Sequence, residues 1–246
     1  MILGITALGH RTDDWARSLS RSLKVTFGLD PDAEPSASPT SSSAKQVSSV
    51  ISLYNLDDAS ATAAAAEAKK DIAEVKRLGV LHFLNDLAFA EAAIATARAW
   101  TLPLPPAGAG TPRSFLTHFH CPNPWPGPYT GSATHALDAA FALQNYDAYL
   151  PQGQRACAER MGRDLVLFVD GKRGDPFPPL GADETGAEMV YFAQPEGGKG
   201  DESAPVPTAQ AKTEGRRGKL AQVTGGSPEF LDKLMAALGL FLQGPQ

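Results

Sequence analysis

The chain has 246 residues, 43% of them hydrophobic and 20% charged, which is the composition of a soluble globular protein, and its length suits one large domain or two smaller ones. Its 27 acidic and 22 basic side chains give a net charge of -5 and lie scattered, which excludes the basic patch that nucleic acid or an anionic membrane surface attracts. No uninterrupted apolar run reaches the roughly 18 to 20 residues that cross a bilayer, and the greasiest segment, residues 234–242, reads as a packed helix, so no membrane span is expected.

In chain order, residues 1–5 (Met-Ile-Leu-Gly-Ile) fit a short buried strand. They lack the basic flank and long apolar core of a signal peptide, so any targeting segment would lie upstream and the compartment stays open. Residues 13–27 read as an amphipathic helix through Trp15, Leu19 and Leu23. Residues 30–45 are dense in Pro, Ser, Ala and Asp and are expected to form a flexible surface loop. Helix resumes over 47–54, an Ala-rich helix is expected over 60–76, and 78–100 continues helical with Leu81, Leu84, Ala88 and Ala92 on one side.

The Pro/Gly stretch 103–112 breaks the pattern. Residues 114–119 then read as a central strand, with Phe115, Thr117 and Phe119 on one face and Leu116 on the other. A Pro/Gly loop follows at 121–131, and 133–150 reads as helix. Residues 154–169 form a cleaner helix with a Cys157, Met161, Leu165, Phe168 stripe and Gly171 at the C-cap. Residues 189–193 are a strand, 197–218 polar and irregular. The last helix starts at the N-cap Ser227 with Pro228 and Glu229 behind it, and its apolar face is Phe230, Leu231, Leu234, Leu238 and Phe241. Few strands among long helical stretches indicate a layered α/β fold with an incomplete sheet.

Two cysteines are too few for a disulfide framework or a Cys-based zinc site. They leave two readings: a single bridge between Cys121 and Cys157, or a buried thiol at Cys157 on its helical stripe. His118 and His120 sit two apart near a strand end and point to one face, but no third ligand is suitably spaced, so no metal site is expected. His135 stands just after a strand and a Gly/Pro loop, which is where an α/β-hydrolase places its general base.

One composite motif is specific. Pro122-Asn123-Pro124-Trp125-Pro126-Gly127-Pro128, then Gly131-Ser132-Ala133-Thr134-His135-Ala136-Leu137-Asp138, then Phe141-Ala142-Leu143-Gln144-Asn145 resembles the histidine segment of the fungal branch of the type-B carboxylesterases, in the cholinesterase and lipase family. Asn85 to Phe89 with Arg98 and Trp100, Gly215-Arg216-Arg217, and residues 234–244 extend the resemblance over most of 78–244. The resemblance implies that residues 1–246 are the C-terminal portion of an α/β-hydrolase domain. It makes His135 the base that takes a proton from a serine hydroxyl and hands it to a leaving alcohol. Trp125 and Asn123 would support the loop, Asp138 would fix the local backbone, and no cofactor would be needed.

The sequence departs from the family in two places. No Gly-x-Ser-x-Gly elbow occurs in it, so no nucleophile is found. The strand that leads to the family's acid matches only at Leu3 to Leu8; the carboxylate position falls near Gly9, with Asp13 and Asp14 as displaced alternatives. The expected function is therefore a carboxylesterase-like serine hydrolase fragment acting on a small-molecule ester in the full-length family and inactive alone. The alternatives are a non-catalytic, hydrolase-like protein-binding module, and an esterase completed by a separate N-terminal piece.

Overall fold

The computed structural model describes residues 12–33, 41–101, 113–127, 129–134, 136–171, 174–180, 186–194, 200–213 and 215–244. The expected strand at 1–5, the breaker at 103–112 and position 135 lie largely or wholly outside them. The fold is mixed α/β, mainly helical, with two small sheets. Of the described residues, 94–211 build one compact unit and 12–93 with 212–244 build the other.

The helical unit begins with α1 (Thr12–Thr26). Its Ala16, Leu19 and Leu23 are completely buried, as the sequence period requires, with Trp15 packed partly against them. Helix α2 (Ser42–Leu53) starts earlier than its apolar pattern, because the Ser41 side chain accepts a hydrogen bond from the Ala44 N–H and caps it. The loop expected over 30–45 therefore gives up its last residues to a helix.

The continuous Ala-rich helix expected over 60–76 is instead two helices, α3 (Asp58–Ala68) and α4 (Ile72–Asn85). Lys69 adopts a left-handed conformation (φ 53°) that ends the first, and the Asp71 carboxylate accepts from the Ala73 N–H to start the second. A strong side-chain cap outweighs the small propensity gain of continuing. Gly79 lets α4 lie against the backbone carbonyl of Tyr54, with no room for a Cβ.

From Asn85 the helix widens into a π segment (Asp86–Glu91) before α5 (Ala92–Thr101), whose residues from Ile94 on belong to the other unit. Taken through, Ile72–Thr101 is long and apolar enough to cross a bilayer, although charged residues interrupt its apolar runs. Its apolar window is 39% buried, and Val80, Phe83, Leu84 and Leu87 share one core cluster with Tyr54, Leu220, Leu234 and Leu238. Closing this core are α9 (Gly215–Thr224) and α10 (Pro228–Leu242), the latter capped by Ser227 as expected and burying Phe230, Leu234, Ala237, Leu238 and Phe241.

The second unit carries the sheets. The single strand expected at 114–119 is split between two of them. β1 (Ser114–Phe115) pairs antiparallel with β3 (Pro179–Leu180), and β2 (Thr117–Phe119) pairs parallel with β4 (Ala187–Tyr191). β4 also pairs antiparallel with β5 (Ala204–Pro207), so the order is β2-β4-β5 and β2 lies at an edge, not in the centre. The helix expected over 133–150 shrinks to α6 (Leu137–Ala142) and a 3-10 turn (Asp147–Tyr149), because Ala136 (φ 65°) and Gln144 (φ 55°) turn left-handed at either end of α6.

Helix α7 (Gln152–Asp170) ends at Gly171 (φ 63°) as expected. Its first turns bury Gln154, Cys157 and Ala158, but toward its end Asp164 turns inward while Val166 and Val169 face solvent. The expected stripe thus holds at Cys157 and fails at Leu165, which is exposed. The stretch 197–218, expected to be irregular, contributes β5, α8 (Thr208–Thr213) and the start of α9. Pro205 and Pro207 disguised β5, but an edge strand tolerates proline because its outer face has no ladder to complete.

Candidate functional site

The described residues of 122–150 form a strap that carries Trp125, Leu137 and Phe141 into a core shared with Met189 and Tyr191 of β4. It leaves β2 through His120, whose N–H donates to the Tyr191 carbonyl at 2.9 Å and extends the pairing with β4 by one residue. Gln154, fully buried on α7, donates from Nε2 to the Pro122 carbonyl at 2.7 Å and ties the start of the strap to that helix.

Asn123 organises the loop. Its N–H donates to the Ser132 carbonyl (3.0 Å), its carbonyl accepts from the Gly131 N–H (2.9 Å), and its side-chain oxygen accepts from the Trp125 N–H (3.0 Å). Thr130 closes the turn by donating its hydroxyl toward the Trp125 carbonyl at 2.6 Å. Gly131 sits at φ 80°, where a side chain would be strained. The Trp125 ring, packed partly on the core of this unit, meets Tyr146 edge-on at 5.7 Å.

Trp125 and Tyr146 border an open cleft of about 670 Å³ that is also lined by Thr134, Ala136, Leu137, Ala140 and Tyr149. Both sequence neighbours of position 135 are on that list of walls; His135 itself lies outside the described residues. Three aromatic rings with two phenolic hydroxyls offer stacking and apolar contact with a few hydrogen-bonding handles, in a cleft that lies largely open to solvent.

Of the other residues singled out from sequence, Asp138 is exposed in the first turn of α6. Asp13 and Asp14 lie on α1 in the helical unit, with side chains outside the described residues, whereas Thr134 and Ala136 belong to the sheet unit. His118 and His120 stack face to face at 5.2 Å, and no group of three or more His, Cys, Asp or Glu is gathered for a metal among the described residues.

Two polar clusters escaped the sequence reading. In the helical unit, Asp86, at the first position of the π segment, is gripped by Arg216 through Nε at 2.6 Å and Nη2 at 2.9 Å, and accepts from the Tyr54 hydroxyl at 2.9 Å and from Asn85 at 3.2 Å. Burial works to raise the Asp86 carboxyl, yet the guanidinium, Asn85 and Tyr54 together hold it below the usual range. Burial and the neighbouring carboxylate push the Tyr54 hydroxyl up, and burial with the Arg216 charge pushes His82 down to about 4. An acidic residue inside an apolar helix and the Gly-Arg-Arg segment were the only sequence signals for this cluster.

In the sheet unit, Arg160 bridges Asp164 on its own helix and Asp201 before β5, and donates to the Ser203 carbonyl at 2.7 Å. The buried Tyr191 hydroxyl donates to Asp164 at 3.0 Å. Beneath them, Cys121 and Cys157 place their sulfurs 3.3 Å apart, both completely buried.

No family model, no curated protein and no solved structure matches this chain. Its function must therefore be argued from its own residues.

Proposed function

We propose that this chain is a hydrolase-like binding module that accepts a small ester or aromatic group in the Trp125–Tyr146–Tyr149 cleft and does not by itself transfer acyl groups. The observation that carries the reading is that the stretch resembling a type-B carboxylesterase histidine segment is the same stretch that builds the cleft walls.

The chemistry favours binding over turnover. A histidine base accelerates ester cleavage only beside a hydroxyl or thiol it can deprotonate, with donors for the oxyanion. The sequence contains no Gly-x-Ser-x-Gly elbow to present that hydroxyl. In the esterase reading His135 would serve a nucleophile and an acid supplied from elsewhere; in the binding reading the strap's Asn123, Gly131 and Trp125 geometry is kept to shape the aromatic walls.

The test is to titrate the protein with a short-chain 4-nitrophenyl ester and, separately, with the matching non-hydrolysable ether. The expected result is saturable shifts in the NMR signals of Thr134, Ala136 and Tyr146 with both compounds and no nitrophenolate release above a buffer blank. Release that disappears in His135→Ala would establish the esterase reading instead, and absence of any shift at millimolar ligand would dispose of the cleft as a binding site.

A further inference from the structure

We propose that Cys121 and Cys157 join in an intramolecular disulfide that staples the end of the β2 segment to helix α7. The two sulfurs lie 3.3 Å apart across 36 residues of sequence, and both are shielded completely from solvent. Unlike a chance pair of surface thiols, each is held by its own element: Cys121 follows the last residue paired to β4, and Cys157 sits in the second turn of α7. A bond between them adds a covalent link where Gln154 already ties α7 to the Pro122 carbonyl, one residue beyond Cys121.

The hydrogen bonds around the pair describe its reduced form once the core has closed. The Ser203 hydroxyl oxygen accepts from the Phe192 N–H at 3.1 Å, which leaves its own proton free to face the Cys157 sulfur at 3.4 Å. Cys121 has the Tyr191 carbonyl at 3.7 Å and the Cys157 sulfur as acceptors for its proton. In that closed, reduced form the hydrogen bond from Cys121 holds Cys157 down, while sharing that bond, together with burial, pushes Cys121 up.

The oxidant is a small external disulfide. One of the two cysteines, as its thiolate, attacks one of its sulfurs, forming a mixed disulfide and expelling one thiolate. The other cysteine then loses its proton and attacks the sulfur of the first, expelling the second thiolate. Two protein thiols lose two electrons and two protons, and one external disulfide becomes two thiols. Because both sulfurs are buried, the exchange takes place while the unit folds or opens, before the core closes over them.

The experiment is to refold the reduced, full-length chain in a buffer of oxidised and reduced glutathione, quench with acid, and alkylate under denaturing conditions. The expected product takes up no alkylating reagent, is lighter than the reduced chain by about two hydrogens as two thiols become one disulfide, and gives a Cys121–Cys157 linked peptide on digestion. It should also melt about 10 °C higher than the same sample kept in a phosphine reductant, the scale expected when a loop of this length is closed. Cys121→Ser and Cys157→Ser should each leave the remaining thiol as a glutathione adduct or free, with the melting difference gone. A cooperatively folded chain that emerges with two alkylatable thiols, or with glutathione on both cysteines, overturns the proposal.

Discussion

Asp86 and Arg216, 130 residues apart in sequence, meet in a two-pronged ion pair that joins the π segment of the long helix to the start of α9. The carboxylate is almost fully buried and the guanidinium about two-thirds so. Such a pair adds little stability compared with a well-packed apolar substitute, but removing one partner strands a charge. Arg216→Met is therefore expected to destabilise the protein by about 3 kcal/mol in urea unfolding, because among the described residues Asp86 keeps Tyr54 and Asn85, neither of them charged. The double variant Asp86→Leu with Arg216→Met should recover more than half of that loss. If the double variant is no better than the single one, the pair is not the energetic unit described.

His82 sets the response to mild acid. Its folded value of about 4 lies below the ordinary 6.5, so between those two pH values the unfolded chain binds a proton that the folded chain refuses. Stability is fully present above pH 6.5 and falls as pH drops toward 4, by about 3 kcal/mol at most. His82→Gln should flatten the urea midpoint across that window. Asp86, held low by Arg216, acts only at more acid pH, where protonation breaks the ion pair.

Two glycines in helices should respond oppositely to alanine. Gly79 has the Tyr54 carbonyl where a Cβ would go, so Gly79→Ala forces α4 away from α2 and is expected to cost about 2 to 3 kcal/mol. Gly239 in α10 has open space around that position and ordinary helical backbone, so Gly239→Ala should stabilise by about 0.5 to 1 kcal/mol through helix propensity. Thermal melts of the two variants side by side provide the check.

Asn123 should matter more to the cleft than to the fold. Asn123→Ala removes the acceptor for the Trp125 N–H while leaving both Asn123 backbone bonds in place. The expected stability loss is about 1 kcal/mol. A larger effect should appear in the Tyr146 ring signals, because the Trp125 ring no longer has a fixed position against it. Unchanged Tyr146 shifts would mean that Asn123 does not position the cleft wall.

The sequence by itself determined the helices whose apolar residues recur at helical spacing. Leu19 and Leu23 on α1 and Leu234, Leu238 and Phe241 on α10 are buried as the period demanded, and Ser227 and Gly171 mark helix ends through local hydrogen bonding and backbone geometry. The Asn123 to Gly131 strap was legible for the same reason, since prolines and glycines restrict the backbone whatever surrounds them.

Tertiary structure decided the rest. Whether residues 114–119 form one strand or two depends on partners sixty and more residues away, and Pro205 and Pro207 make a strand only because β4 offers one edge. Asp86 and Arg216 carry no local pattern that announces a partner, and for Cys121 and Cys157 the sequence left a bridge and a buried thiol both open; burial in a low-dielectric interior is what turns distant side chains into pairs.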